Sequence, residues 1–181
     1  VNNYEAYENV ELTSMLTSDG QPYGDEKYKG HFHLTPMFVG KGTKKAVAAG
    51  YGDFIPTHFS EVPYLLRHIN RPDVALVQVS PPDEHGYVSL GLSADYTIVA
   101  AREARTVIAE VNAQCPRVYG DTLLHVSQIE CLVETDRPVM EIPPTKITDV
   151  ERAIAGYCAE LVHDGDCLQL GIGAIPDAVL G

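Results

Sequence analysis

The chain has 181 residues, a formal net charge of −12 at pH 7, 45% hydrophobic residues and 21% charged residues. This composition is typical of a globular protein and excludes a disordered or fibrous one, and a chain of this length can bury a large core without disulfides. The excess of acidic residues argues against nucleic acid as a general partner, although a small phosphate-bearing ligand would need only a local site.

The chain ends and the cysteines bear on cellular context. No apolar run reaches 18 residues, and the N-terminus lacks the basic and apolar parts of a signal peptide. The chain does not begin with Met and stops inside a predicted helix, so we expect a fragment of a longer protein. We expect a reduced, cytoplasmic compartment, because the cysteines lack CxxC spacing and lie in or beside apolar stretches, where free Cys acts as a small hydrophobe. They are Cys115, Cys131, Cys158 and Cys167.

The first third of the chain predicts short elements. A short buried strand is expected over residues 36–39 and a helix over 43–49 that Gly50 closes. Ser60, followed by Glu61 and Pro63, has the pattern of a helix N-cap, and that helix should end near residues 68–70.

The middle third predicts a parallel sheet. Residues 74–79 are almost continuously apolar and β-branched, as in a strand covered on both faces. A Pro-rich loop follows over 80–86, then a short strand near 87–90 and a helix over 96–105. Further apolar strands are expected at 106–111 and 130–134. Strands that alternate with helices indicate an α/β fold with a mostly parallel sheet.

The last third begins with a predicted linker at 141–144. Thr148 and Glu151 form a capping-box pattern, and Gly165 is expected just past the end of the helix that follows. A strand is then expected at 167–170, and Pro176 should be the first residue of the next helix. The helix after Thr148 should bury one face. Its apolar positions are Val150, Ala153, Ile154, Tyr157, Cys158, Leu161 and Val162.

The strongest candidate for chemistry is the glycine-bearing loop 171–175, Gly-Ile-Gly-Ala-Ile. Glycines let a ligand approach the backbone, and the following helix start offers unpaired N–H groups to a phosphate, a carboxylate or an oxyanion. In open α/β sheets, ligands bind at the carboxyl ends of strands, where this loop falls. A tight turn without a ligand explains the spacing equally well. The spacing matches neither a dinucleotide fingerprint nor a P-loop.

Of three weaker candidates, two are better explained by a structural role and the third lacks partners. Asp83, Glu84 and His85 could serve acid–base chemistry, but polar residues in a Pro-rich turn are more often turn formers. Ser60 and Glu61 are explained by helix capping. His31 and His33 have no partners at metal-ligand spacing, and no Gly-x-Ser-x-Gly nucleophile elbow is present.

Several motifs in order resemble the acetyl-CoA hydrolase/transferase family, and within it the 4-hydroxybutyrate and butyrate–acetate CoA-transferases. They are residues 59–63 (FSEVP), 77–87 (VQVSPPDEHGY) and 168–179 (LQLGIGAIPDAV), with support from 95–97, 111–112, 120–121 and 125–127. The likeness runs from Tyr7 onward.

The resemblance implies an open, mostly parallel sheet with helices on both faces. It further implies an N-terminal domain at residues 1–142, lacking its opening segment, and the start of a second α/β domain at 143–181.

The resemblance also implies a CoA-transferase that passes CoA from an acyl-CoA to acetate, butyrate or 4-hydroxybutyrate through a glutamyl-CoA thioester. The nucleophilic Glu is expected beyond Gly181, so this segment alone should be inactive. Coenzyme A is then a substrate, with no permanently bound cofactor and no metal. The implied CoA-binding residues are Gly171, Ile172, Gly173, Ala174 and Ile175, with the Ile175 N–H as an oxyanion donor.

The expected partners are therefore an acyl-CoA and a short-chain carboxylate, with no nucleic acid and no membrane; a homodimer stays open. Two alternatives also stay open, an acyl-CoA hydrolase on the same fold and a non-catalytic CoA- or nucleotide-binding module.

Overall fold

A computed structural model describes residues 3–15, 22–143 and 145–181. The chain separates into two compact units, Val1–Asp136 and Arg137–Gly181. The division into domains at 142/143 stays a prediction. In the described ranges, no helix combines the length and the apolar character needed to cross a membrane.

The first unit opens with a small parallel strand pair. Strand β1 (Val10–Leu12) pairs with β2 (Phe32–Leu34), and Gly52 extends the pairing by a bridge to Leu34. Helix α1 (Lys44–Ala48) lies between β2 and that bridge, close to its predicted position. The strand predicted at 36–39 is wrong, because strand β2 ends at Leu34. Pro36 follows two residues later and has no N–H to donate to a neighbouring strand.

The main sheet of the first unit has three parallel strands in the order β3 (Val74–Val79), β5 (Thr106–Asn112) and β7 (Cys131–Thr135). Helix α2 (Val62–His68) packs on α3 (Thr97–Glu103), and α3 packs on β3. Alternate residues of β3 and β5 fill the core beneath the helices. The predicted α/β class with a mostly parallel sheet is confirmed.

The opposite face of this sheet is exposed, and we call it the open face. Leu76 is 72% exposed, and Val74 and Val133 are about half exposed. Register places Ile108 and Cys131 beside Leu76 on the same side. A parallel sheet normally has both faces covered.

An antiparallel pair completes the first unit. Strand β4 (Tyr87–Ser89) pairs with β6 (Leu123–His125), and Val88, Leu90 and Leu124 are buried in the same core as the main sheet. Five short 3-10 helices also occur in the described residues. They are Tyr4–Ala6, Pro22–Gly24, Glu26–Tyr28, Phe59–Glu61 and Val126–Gln128.

The second unit consists of helix α4 (Asp149–Ala159) and helix α5 (Ala174–Leu180), which contact each other. The predicted capping box is confirmed, because the Thr148 N–H donates to Glu151 Oε2 at 2.8 Å and Thr148 Oγ1 accepts from Val150 N. The predicted buried face of α4 is not formed: Ala155 is buried, whereas Val150, Tyr157 and Leu161 are more than 60% exposed.

Three further expectations for the second unit are corrected. Residues 167–170 form no strand, because no neighbouring strand in the described residues pairs with them. Gly165 has a left-handed φ of 93° but lies in a separate turn, because α4 ends at Ala159 with Glu160 as its C-cap. Helix α5 begins at Ala174, so Pro176 is its third residue and not its first.

Candidate functional site

The glycine-bearing loop ends where α5 begins, and its backbone requires glycine at one position. Gly173 is the N-cap residue, with φ 138° and ψ 176°. That region of backbone space is essentially restricted to glycine. Ile172 is fully exposed and Ile175 is 43% exposed. The loop is therefore accessible to solvent, and neither of its two isoleucine side chains is buried.

The first amides of α5 are available to a ligand. The Asp177 N–H donates to the Gly173 carbonyl at 3.1 Å and closes the first turn. Pro176 has no N–H, and the preceding amides of Ala174 and Ile175 have no acceptor within the helix. Among the described residues of the second unit, no atom accepts a hydrogen bond from either amide. Two adjacent bare donors of this kind can hold a carbonyl oxygen that gains negative charge.

The space in front of the loop is open. A Cβ placed on Gly171 or Gly173 would meet only Pro176 ring carbons, at 3.9 and 4.0 Å. Side chains of the described chain therefore leave room for a ligand to approach these glycines. Residues 171–175 are all at least partly exposed, and their role as a ligand site stays a prediction.

Asp83 has a structural role that accounts for its side chain completely. Its Oδ1 accepts from the N–H groups of His85 at 3.0 Å and Tyr87 at 2.8 Å, and its Oδ2 accepts from Arg117 Nη2 at 2.5 Å. These interactions hold the pKa of the Asp83 carboxyl below its ordinary value, the Tyr87 N–H being the largest cause. Asp83 therefore fixes the turn after β3, as the turn-former interpretation predicts.

Glu84 and His85 lie at the tip of the same turn. Both side chains are at least three-quarters exposed, and His85 Nε2 lies 3.6 Å from Glu84 Oε1. An exposed pair of this kind has little electrostatic coupling in water. The neighbouring Asp83 carboxylate is already engaged by backbone amides and Arg117, so the acid–base alternative gains no support from the geometry.

The capping interpretation of Ser60 is corrected. His58 is the N-cap of the 3-10 helix that precedes α2, and Glu61 Oε2 accepts from the His58 N–H at 3.2 Å. Ser60 lies inside that turn, while Glu61 does serve the cap.

His31 Nδ1 lies 2.7 Å from the Tyr7 carbonyl oxygen, and His33 Nε2 lies 2.9 Å from Asp53 Oδ2. Across the described ranges, no group of His, Cys, Asp and Glu is arranged to hold a metal ion.

The sequence did not predict the hydrogen bonds that Arg117, Ser89 and Ser80 make next to the Asp83 turn. Arg117 also donates to the Tyr87 carbonyl, and the buried Ser89 Oγ accepts from the N–H groups of Gly91 and Val118. Ser89 N–H in turn donates to Ser80 Oγ at 3.0 Å. The only sequence signal was a pair of serines at the ends of apolar strands, Ser80 and Ser89, which is too common to be diagnostic.

The sequence of the chain matches a known protein family. Residues 1–143 match the model of the acetyl-CoA hydrolase/transferase N-terminal domain. The 4-hydroxybutyrate coenzyme A transferase of Clostridium kluyveri is 48% identical over 181 residues, which cover 99% of this chain and 42% of that protein.

Two solved structures share the fold. The 4-hydroxybutyrate CoA-transferase of Porphyromonas gingivalis superposes with a TM-score of 0.83 at 41% identity, over 99% of this chain and 41% of its own. RipA of Yersinia pestis superposes with a TM-score of 0.92 at 30% identity, over 98% of this chain and 43% of its own. The chain thus spans less than half the length of the relatives it matches.

Proposed function

The chain belongs to the acetyl-CoA hydrolase/transferase family, and from that membership we propose that it forms part of a CoA-transferase. The proposed enzyme moves CoA from an acyl-CoA to a short-chain carboxylate such as acetate, butyrate or 4-hydroxybutyrate. CoA is a substrate in this reaction and not a resident cofactor.

The observation that carries the proposal within the chain is the pair of bare amides after Gly173. Ala174 and Ile175 present N–H groups that meet no acceptor among the described residues of the second unit, at a loop whose glycines leave the approach open. A thioester carbonyl that becomes tetrahedral needs donors of this kind, already in position before the reaction. We assign residues 171–175 to CoA binding and the Ile175 N–H to the oxyanion.

The proposed chemistry is nucleophilic catalysis by a carboxylate. A glutamate carboxylate, which we expect after Gly181 in a longer chain, attacks the acyl-CoA carbonyl and expels CoA thiolate, leaving an acyl–glutamyl anhydride. The thiolate then attacks the glutamyl carbonyl, releasing the acyl group as a carboxylate and forming the glutamyl-CoA thioester. An incoming carboxylate reverses these two steps and leaves with CoA. Each tetrahedral intermediate carries an oxyanion that the loop amides would stabilise.

Acyl-CoA hydrolysis is the nearest alternative, because water can replace the accepting carboxylate at the same intermediate. The two reactions differ in one measurable product. Transfer yields a new acyl-CoA and no free thiol, whereas hydrolysis yields free CoA in the absence of any acceptor.

The test uses the complete gene product with butyryl-CoA, with and without acetate. Chromatography should show acetyl-CoA formation that depends on acetate, while a thiol reagent should detect little free CoA. Equal release of free CoA with and without acetate would establish the hydrolase instead.

A glycine variant connects that activity to the loop. Gly173→Val should lower the transferase rate by at least 100-fold and abolish CoA binding in calorimetry, because only glycine adopts the backbone angles found there. Gly165→Val is the matched control: it imposes the same kind of strain, at a left-handed glycine with open space around its Cα. If both variants bind CoA equally well, the loop does not hold the ligand.

A further inference from the structure

A cavity of about 290 Å³ lies in the first unit, at the amino-terminal ends of the parallel strands β1 and β2. It is lined by Asn9, Lys29, Phe32, His33 and Tyr51 together with two glycines. A volume of this size is at the lower end of small-molecule sites. It suits a ligand of about a dozen non-hydrogen atoms.

Three residues that line the cavity have left-handed backbone angles. Asn9 has a φ of 54°, which is uncommon for a residue other than glycine, and Gly30 and Gly50 have φ values of 89° and 76°. A Cβ added to either glycine would meet no atom within 4 Å. In the described structure, no neighbouring side chain therefore occupies the space in front of these two glycines.

Aromatic rings form the apolar part of the wall. Phe32 is held by ring contacts with Tyr7, Tyr23 and Tyr28 at centroid distances of 6.1 to 6.2 Å. Tyr51 provides a second ring to the lining. Planar, anchored walls favour a planar ligand, because ring faces stack at little entropic cost.

Lys29 is the cationic residue among those that line the cavity. No hydrogen bond or ion pair joins the Lys29 ammonium to any residue that the structure describes. The nearby carboxylate of Asp53 is engaged by His33, at 2.9 Å, which fixes the imidazole at the cavity wall. Asn9 adds an amide side chain to the lining. The lining itself contains no carboxylate.

We propose that this cavity binds a small organic anion with one carboxylate on a planar, apolar body, the carboxylate meeting Lys29 and the body lying between Phe32 and Tyr51. The site goes beyond the proposed transferase function and rests on none of its residues. It lies in the first unit, whereas the glycine-bearing loop belongs to the second.

The test compares benzoate with benzamide, its uncharged analogue of the same shape, by calorimetry and by amide NMR shifts on the 181-residue chain. Benzoate should bind at least tenfold more tightly and should shift the amides of Gly30 and Gly50. Lys29→Met should weaken benzoate binding by about tenfold and leave benzamide binding unchanged. Lys44→Met, which removes an exposed ammonium outside the cavity, is the control and should bind benzoate as the native chain does.

Two outcomes would overturn the proposal. The first is absence of benzoate-induced shifts at Gly30 and Gly50 in the native chain, which needs no variant to fold. The second is equal affinity for benzoate and benzamide, because the site would then not recognise an anion.

Discussion

Asp83 illustrates how one side chain can hold a whole turn. It accepts hydrogen bonds from two backbone amides and one guanidinium, and all of these favour the ionised carboxylate. Its folded-state pKa therefore lies below the ordinary value of 3.8. A depressed pKa means that the ionised group stabilises the folded state at neutral pH and loses that effect as the pH falls through the ordinary value toward the folded one.

The first prediction concerns the variant Asp83→Asn. Its urea unfolding midpoint should lie below that of the native chain at pH 7. The difference should shrink as the pH falls below about 4, where the Asp83 carboxyl of the unfolded native chain takes up a proton before that of the folded chain does. Asp73→Asn removes a highly exposed carboxylate that faces Arg105 at 3.3 Å and should change the midpoint little at any pH. A difference between native and Asp83→Asn that is constant from pH 7 to pH 3 would contradict the assigned role.

Among the elements, the buried hydroxyl of Ser89 joins the end of β4 to the segment that contains Val118. This Oγ accepts from Gly91 N and Val118 N and donates to the Val118 carbonyl at 3.1 Å. Ser89 is fully buried, so water cannot replace it as a partner.

Ser89→Ala should therefore destabilise the chain by roughly 1–3 kcal/mol, because backbone groups in the interior lose their partner. Chemical unfolding measures this cost. Ser93→Ala, at an exposed serine in the same segment, is the control and should lie within about 0.5 kcal/mol of the native chain. Equal stabilities of the two variants would show that water or a shifted backbone satisfies these groups.

The sequence predictions were correct where the signal lies within a few neighbouring residues and failed where it depends on distant parts of the chain. The strand Val74–Val79 and the capping box at Thr148 were predicted correctly, because an apolar β-branched run and a Thr-x-x-Glu spacing act within a few residues. Strand β1 was missed, since three residues carry too little periodicity and their pairing with β2 is non-local. The strand at 167–170 was wrong for the converse reason: its apolar pattern needs a pairing strand.

For the candidate sites too, residues that are contiguous in the sequence could be predicted, and residues far apart in the sequence could not. The loop 171–175 could be proposed as a ligand site because its glycines and the helix start are contiguous in sequence. Its role in binding stays a prediction. Arg117 could not be connected with Asp83, because 34 residues separate them and only the folded chain brings them together. The cavity near Lys29 likewise gathers residues from three separate segments.

Apolar surface is unevenly distributed over the two faces of the main sheet. The open face of the main sheet exposes Leu76, Val74 and Val133, whereas the opposite side of β3 and β5 is buried. Contiguous apolar surface of this kind promotes dye binding and self-association.

Leu76→Glu should therefore reduce the fluorescence of a bound hydrophobic dye and lower the sedimentation-detected association of the 181-residue chain. Ile69→Glu changes a residue of almost equal exposure, 71% against 72%, that lies outside the open face. Its effect on both measurements should be small. Similar effects of the two substitutions would mean that exposed apolar side chains act individually and not as one surface.

The order of the main sheet also constrains when the protein can fold. Its central strand is β5, and one of the two neighbours of β5 is β7, which ends at Thr135. During synthesis, the ribosome must release almost the entire first unit before β5 gains its second neighbour. Until then, a hydrophobic strand edge stays unpaired, which makes the nascent chain a natural client for chaperones.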